Sequence, residues 1–172
     1  MVKKEKDMRN RRDNGREESV KWDAEQSRLK RTAVFYVCAE LMRRGLNIYT
    51  QPWQNVQNVD DLLGYDIIAS KSKTTQAIHV DVYGGYLDFI VPRKKMLAMN
   101  DAHEYSYFVI FVKLSKKHNV KPVYILLNPR LAVGLVNDES SANYECITHE
   151  QLIENEWYRE NNWDELPVDF LP

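Results

Sequence analysis

The chain has 172 residues, enough for one domain with a single core and too few for two ordinary ones. Its 44% hydrophobic and 28% charged content is that of a globular protein in water, and no apolar run approaches the roughly 18 residues that span a bilayer. That excludes a helical membrane protein, and the opening Met-Val-Lys-Lys-Glu-Lys lacks the apolar stretch of a secretory signal. Two cysteines, Cys38 and Cys146, form neither a disulfide framework nor a close ligand pair. The simplest compartment is therefore a reducing cytoplasmic one, with both thiols serving as small apolar side chains.

The net charge of −1 is unevenly spread. Residues 1–31 hold 11 Lys and Arg against 7 Asp and Glu, and the remainder holds 13 against 18, so a +4 segment precedes a −5 body. Residues 1–17 read as a flexible charged arm and 18–172 as one domain. Such an arm either follows a phosphate backbone by counterion release or is simply a solvated tail.

In chain order, a helix is expected from near Ser19 to Arg44, with Gly45 as its stop and Leu29, Ala33, Tyr36, Val37 and Leu41 as its apolar stripe. Glu40 falls on that stripe. "LNIYTQP" alternates like a strand, and a polar loop leads to two more strands, "YDIIAS" and "AIHVDVY". "YLDFIVP", a basic segment "RKKMLAMNDAHEY" and two strongly apolar strands, "YFVIFVKL" and "KPVYILL", follow. "LAVGLVN" is expected to add an edge strand. From Thr148 a capping-box pattern, Thr-His-Glu-Gln, opens a helix carrying Leu152, Ile153, Trp157 and Tyr158. The sum is an α/β sandwich, a central mixed sheet flanked by helices.

The chemistry concentrates between Gly64 and Gly85. Strand periodicity sends Ile78, Val80 and Val82 to one face and His79, Asp81 and Tyr83 to the other. If the two strands pair antiparallel, Asp66 lies near Asp81. Two neighbouring carboxylates repel, so one holds a proton or a cation sits between them, and hard oxygen donors suit Mg²⁺ or Mn²⁺. Taken singly, Asp66 also reads as a turn cap and Asp81 as a solvent-facing strand residue.

The helix with "AELMRRG", then "GYDIIAS", then "HVDVYGG", resembles the PD-(D/E)XK nuclease superfamily. In that family an acid on one core strand and an acid-x-Lys pair on the next bind metal, often with a glutamate from the preceding helix. The resemblance covers roughly residues 29–166. It implies a restriction-endonuclease-like fold in which Glu40, Asp66 and Asp81 hold Mg²⁺ or Mn²⁺. It also implies cleavage of DNA, or of RNA, in phage defence, restriction or mobile-element biology. A nuclease of this size making double-strand breaks needs two active sites, hence a homodimer.

The departure is Tyr83, which stands where the family has its lysine. A neutral phenol can only exchange a hydrogen bond, and losing a preorganised charge costs on the order of 100- to 1000-fold in rate. Either the protein is inactive as a nuclease, with Tyr83 or His79 left near the attacking water, or the cation comes from another element. Lys71 and Lys73 fall on the wrong face of their strand, which leaves Lys94 or Lys95. His79 shares the Asp81 face and reads either as ligand or general base, or as a hydrogen-bonded histidine in a half-buried sheet. Arg93–Lys95 reads as a solvated charge run or as a phosphate contact, and Trp157 and Trp163 as core anchors. The alternatives to an endonuclease are a catalytically inactive nuclease-like domain that binds nucleic acid or a protein and, more remotely, an immunity or inhibitor protein.

Overall fold

Residues 24–43 are helical (α1), and their buried members, Leu29, Ala33, Val34, Val37 and Leu41, recur at the spacing that lays one stripe against a sheet. Gly45 ends the helix at φ +80°, donating to Met42 O while Leu46 N reaches Leu41 O. This is a Schellman closure, and its apolar contact is made by Leu46 and Leu41 in one core. The computed structural model describes residues 24–50, 66–71, 77–99, 106–117, 119–136, 143–155, 158–163 and 166. The charged arm, Ser19, the loop before Asp66, Lys73, His103, His118 and Trp157 lie outside the described residues.

Seven strands follow: β1 (Asn47–Thr50), β2 (Ile67–Ser70), β3 (Ala77–Gly85), β4 (Asp88–Pro92), β5 (Tyr107–Lys113), β6 (Val123–Leu127) and β7 (Tyr144–Thr148). Five of them form a sheet in the order β1-β2-β3-β5-β6, antiparallel except where β3 runs parallel to β5. β4 and β7 make a separate antiparallel pair. Three short helices complete the described elements: α2 (Arg93–Ala98), α3 (Pro129–Val133) and α4 (His149–Ile153).

The period of two along the central strands builds a core on each face of the sheet. Ile78, Val80, Val82, Phe108, Ile110, Val112, Tyr124 and Leu126 pack with α1, joined by Trp163. Tyr83, Tyr107, Val109, Phe111, Ile125 and Leu127 pack on the other side with β4, β7, Met96 of α2, Ala132 of α3 and Leu152 of α4. The fold is mixed α/β, with the strands buried on both faces reading as near-continuous apolar runs. Trp163 anchors the first core edge-on to Tyr124 at 5.0 Å.

Two expectations need correction, and one segment left without an assignment proves helical. "LAVGLVN" is not an edge strand: Asn128 caps a helical turn by accepting from Leu131 N at 3.0 Å, and Pro129 fills the first position, where no amide hydrogen is needed. The start of the basic segment is also helical, as α2. The capping box is formed, with Thr148 Oγ1 accepting from Gln151 N at 3.1 Å and Gln151 Oε1 from Thr148 N at 2.7 Å. That helix nevertheless ends at Ile153, and Tyr158 is not helical.

Candidate functional site

On its β3 side β2 pairs with Ala77–Val80, the first four residues of that strand, so from Asp81 onward that edge of β3 lies past the end of the ladder. Asp66 closes it. Its amide donates to Val80 O at 3.1 Å, and its Oδ2 accepts from Val82 N at 2.8 Å, which holds the side chain beside the strand. With Ile67 opposite Val80, the next step of the register puts Asp66 opposite Asp81.

Asp81 is fully buried. Tyr107, from the parallel neighbour β5, donates its hydroxyl to Oδ2 at 2.6 Å, and Lys95 Nζ donates to Oδ1 at 2.5 Å. Lys95 arrives because α2 starts directly after β4 and is pinned on both sides of it: Arg93 lies buried 3.3 Å from Glu145 on β7, and Met96 sits in the core. Burial pushes the Asp81 carboxyl above the usual carboxylate range, against the opposing pull of Lys95.

Lys30 completes the arrangement from α1. Its Nζ lies 3.0 Å from Asp66 Oδ1 and 5.4 Å from the centre of the Tyr83 ring. The approach depends on Gly84, where a Cβ would stand 2.4 Å from Leu29 O and 2.7 Å from the Ala33 side chain. Tyr83 is buried, its phenol pushed well above 10.0 by burial and by the nearby Asp81, and its hydroxyl has no hydrogen-bond partner among the described residues.

The structure thus brings Asp66, Asp81, Tyr83 and Lys95 together and leaves three other candidates apart. Glu40 stands apart from the aspartates. Both its oxygens are taken by Arg43 at 3.0 and 2.7 Å, and Arg44 adds 2.9 Å. It also lies ten residues beyond Lys30, about 15 Å along the helix axis. The bonds from Arg43, above all, hold its carboxyl below the usual range. Lys94 is exposed, and the ion pairs to the two aspartates among the described residues come from Lys30 and Lys95. His79 is half-buried, burial lowers its pKa, and its amide donates to Ser106 O. Two members of the site, Lys30 and Tyr107, were not anticipated from the sequence.

Among the described residues no group of three or more His, Cys, Asp and Glu is placed to hold an ion. Every oxygen of the two aspartates already accepts from an ammonium, a phenol or an amide. Two ammonium groups offset two carboxylates, so the cluster is formally neutral as it stands. Among the described residues no helix is long and apolar enough to cross a membrane. No family model, no curated protein and no solved structure matches the chain.

Proposed function

We propose that this chain is a nuclease-like domain that binds nucleic acid and does not cut it, its paired aspartates being neutralised by Lys30 and Lys95 instead of by a metal ion. The observation that carries this reading is the occupancy of all four carboxylate oxygens, two of them by ammonium groups. A metal entering here would displace both lysines and leave two cations beside it, which is unfavourable at short range. The nucleic-acid side of the proposal rests on the +4 segment over residues 1–31 and on the resemblance of the helix, "YDIIAS" and "HVDVY" to the nuclease superfamily.

A second reading has its own observation. Lys95 on Asp81 is a lysine supplied by another element, which is what a Mg²⁺- or Mn²⁺-dependent endonuclease lacking the motif lysine requires. Calorimetry of Mn²⁺ binding and nicking of supercoiled plasmid separate the two. The binding domain gives no heat that depends on Asp66 or Asp81, and no nicking. Nicking with Mn²⁺ that disappears in Asp81→Ala would establish the endonuclease and retire the first reading.

A further inference from the structure

A second cluster of titratable side chains lies at the far end of the sheet face that carries Asp81. Lys113 ends β5 four residues beyond Val109, the residue paired with Asp81, which is roughly 13 Å along the strand at about 3.3 Å per residue. Its Nζ lies 3.4 Å from both ring nitrogens of His149, the buried first residue of α4. Tyr158 stands against the same ring, its hydroxyl 3.4 Å from Nε2 and the two rings nearly perpendicular at 5.9 Å. That hydroxyl donates to Glu160 Oε1.

Counting donors and acceptors fixes how the cluster is protonated. The phenol gives its one hydrogen to Glu160, so toward His149 it can only accept, and Nε2 carries the ring hydrogen. An ammonium has only hydrogens to give, and the lone pair on Nδ1 of a neutral ring receives one. The hydrogen bonds therefore run one way from a cation to an anion, Lys113 to His149 to Tyr158 to Glu160, and every group has a partner. A proton added to His149 goes to Nδ1, removes that lone pair and sets two cations 3.4 Å apart. Burial opposes the same proton, while Glu160 and Glu150, the latter in the first turn of α4, favour it. β4 brings one more carboxylate, the exposed Asp88, opposite Thr148.

The cluster also ties together parts of unequal firmness. Lys113 is held in the ladder between Gly85 on β3 and Val123 on β6. α4, by contrast, has five residues, and Leu152 within it lines a small apolar cavity with Tyr158, Ile125 and Leu127, so packing beneath it is incomplete. Tyr158 opens the segment that closes the outer edge of β6, the last strand of the sheet. There Glu160 bridges Ile125, Asn161 N donates to Tyr124 O at 2.7 Å, and Asn161 Oδ1 accepts from Tyr124 N at 3.1 Å.

We infer that Lys113, His149 and Tyr158 form an acid-sensitive clasp, which holds α4 and residues 158–161 on the β5–β6 end of the sheet while His149 is neutral and lets them lift when it is protonated. Lifting bares the outer edge of β6, whose unpaired amides and carbonyls then face solvent or a strand from another chain. The clasp is independent of the nucleic-acid reading and of the aspartates.

The test is hydrogen–deuterium exchange of the full chain at pH 7 and 5.5, with each rate divided by its intrinsic chemical rate so that only opening is compared. At pH 5.5 protection across residues 123–127 and 149–155 is expected to fall about tenfold more than protection across β3. In His149→Gln, which does not titrate, that excess should vanish. Lys113→Met leaves no cation opposite the ring; it should cut the excess to about twofold or less and raise the NMR titration midpoint of His149 by about one unit, whereas Glu160→Gln should lower the midpoint. An equal fall across β3 and the clasp, or an excess that survives in His149→Gln, would overturn the inference. A wild-type His149 midpoint above 6.5 overturns it as well, and that measurement needs no variant to fold. If His149→Gln melts early at pH 7, Lys113→Met and the wild-type titration decide.

Discussion

Replacing Lys95 by Met keeps the packing of α2 and removes the ammonium from a fully buried carboxylate. Asp81 then has two courses. Remaining ionised with only Tyr107 as donor costs about 3–5 kcal/mol, the usual result of stranding one partner of a buried pair. Taking up a proton costs about 1.36 kcal/mol for each pH unit above the ordinary value of 3.8, hence about 4.4 kcal/mol at pH 7 and about 1.6 kcal/mol at pH 5. The cheaper course sets the loss. Lys95→Met should therefore destabilise by about 3–4 kcal/mol at pH 7 and by no more than about 1.6 kcal/mol at pH 5. Urea unfolding at pH 5, 6, 7 and 8 measures this directly. Adding Asp81→Leu to Lys95→Met should recover stability at pH 7, because removing both charges of a buried pair is close to neutral. A loss under about 1 kcal/mol at every pH, the behaviour of an exposed ion pair, would refute the reasoning, as would a large loss that ignores pH.

Other perturbations follow from the same geometry. Tyr83→Phe removes a buried hydroxyl with no hydrogen-bond partner and should raise stability by about 1 kcal/mol in urea unfolding; a comparable loss would mean that the hydroxyl is bonded in solution. Gly84→Ala drives a methyl to 2.4 Å from Leu29 O, so α1 must lift; a cost of about 3 kcal/mol or more is expected, together with loss of the Lys30–Asp66 pair, and a wild-type melt would contradict the close approach. Burial, and then Lys113, lowers the pKa of His149, so the unfolded chain takes up a proton below 6.5 before the folded one does. Stability should fall as pH drops below 6.5, and His149→Gln should flatten that fall in melts between pH 7.5 and 5.5. Glu40 is held ionised by Arg43 and Arg44, so its contribution is present above 4.5 and lost as pH falls through the lowered value; because Arg43, its main partner, is largely exposed, Glu40→Gln should cost under about 1 kcal/mol at pH 7 and leave nucleic-acid affinity unchanged in anisotropy.

The parts of the site written in local periodicity were legible. Alternation along "AIHVDVY" placed Asp81 and Tyr83 on the face away from α1, and a short connection between two antiparallel strands placed Asp66 across from Asp81. Glu40 shows the limit of the same argument. A helical stripe reports a direction around the axis and says nothing of position along it, whereas Arg43 and Arg44, at three and four residues' separation, announce an ion pair within the helix. Lys30 was not legible at all, because its reach depends on how closely α1 descends on Gly84, a tertiary distance with no local pattern. In α3 the apolar run outweighed the Asn-Pro start signal, which was there to be read.

On the nuclease-like reading proposed above, Tyr83 in the place of a motif lysine and the two lysines amount to one change of charge. A site built for a divalent ion has two or three carboxylates, one lysine and a positive charge supplied from solution. This chain has two carboxylates at hand, a phenol at the motif position, and ammonium groups delivered by α1 and α2. Glu40, the third acid, is bound to arginines instead of being left to face the other two. The phenol leaves the motif position without a positive charge, and the two ammonium groups, with Glu40 held by arginines, bring the net charge facing a metal to zero. A buried aspartate beside a buried, unpartnered phenol is costly to keep for structure alone, and here the lysines are what make it tolerable: with Lys95 present Asp81 stays in the fold, and with Lys30 present Asp66 can end the β2 ladder without leaving an uncompensated charge at the sheet edge.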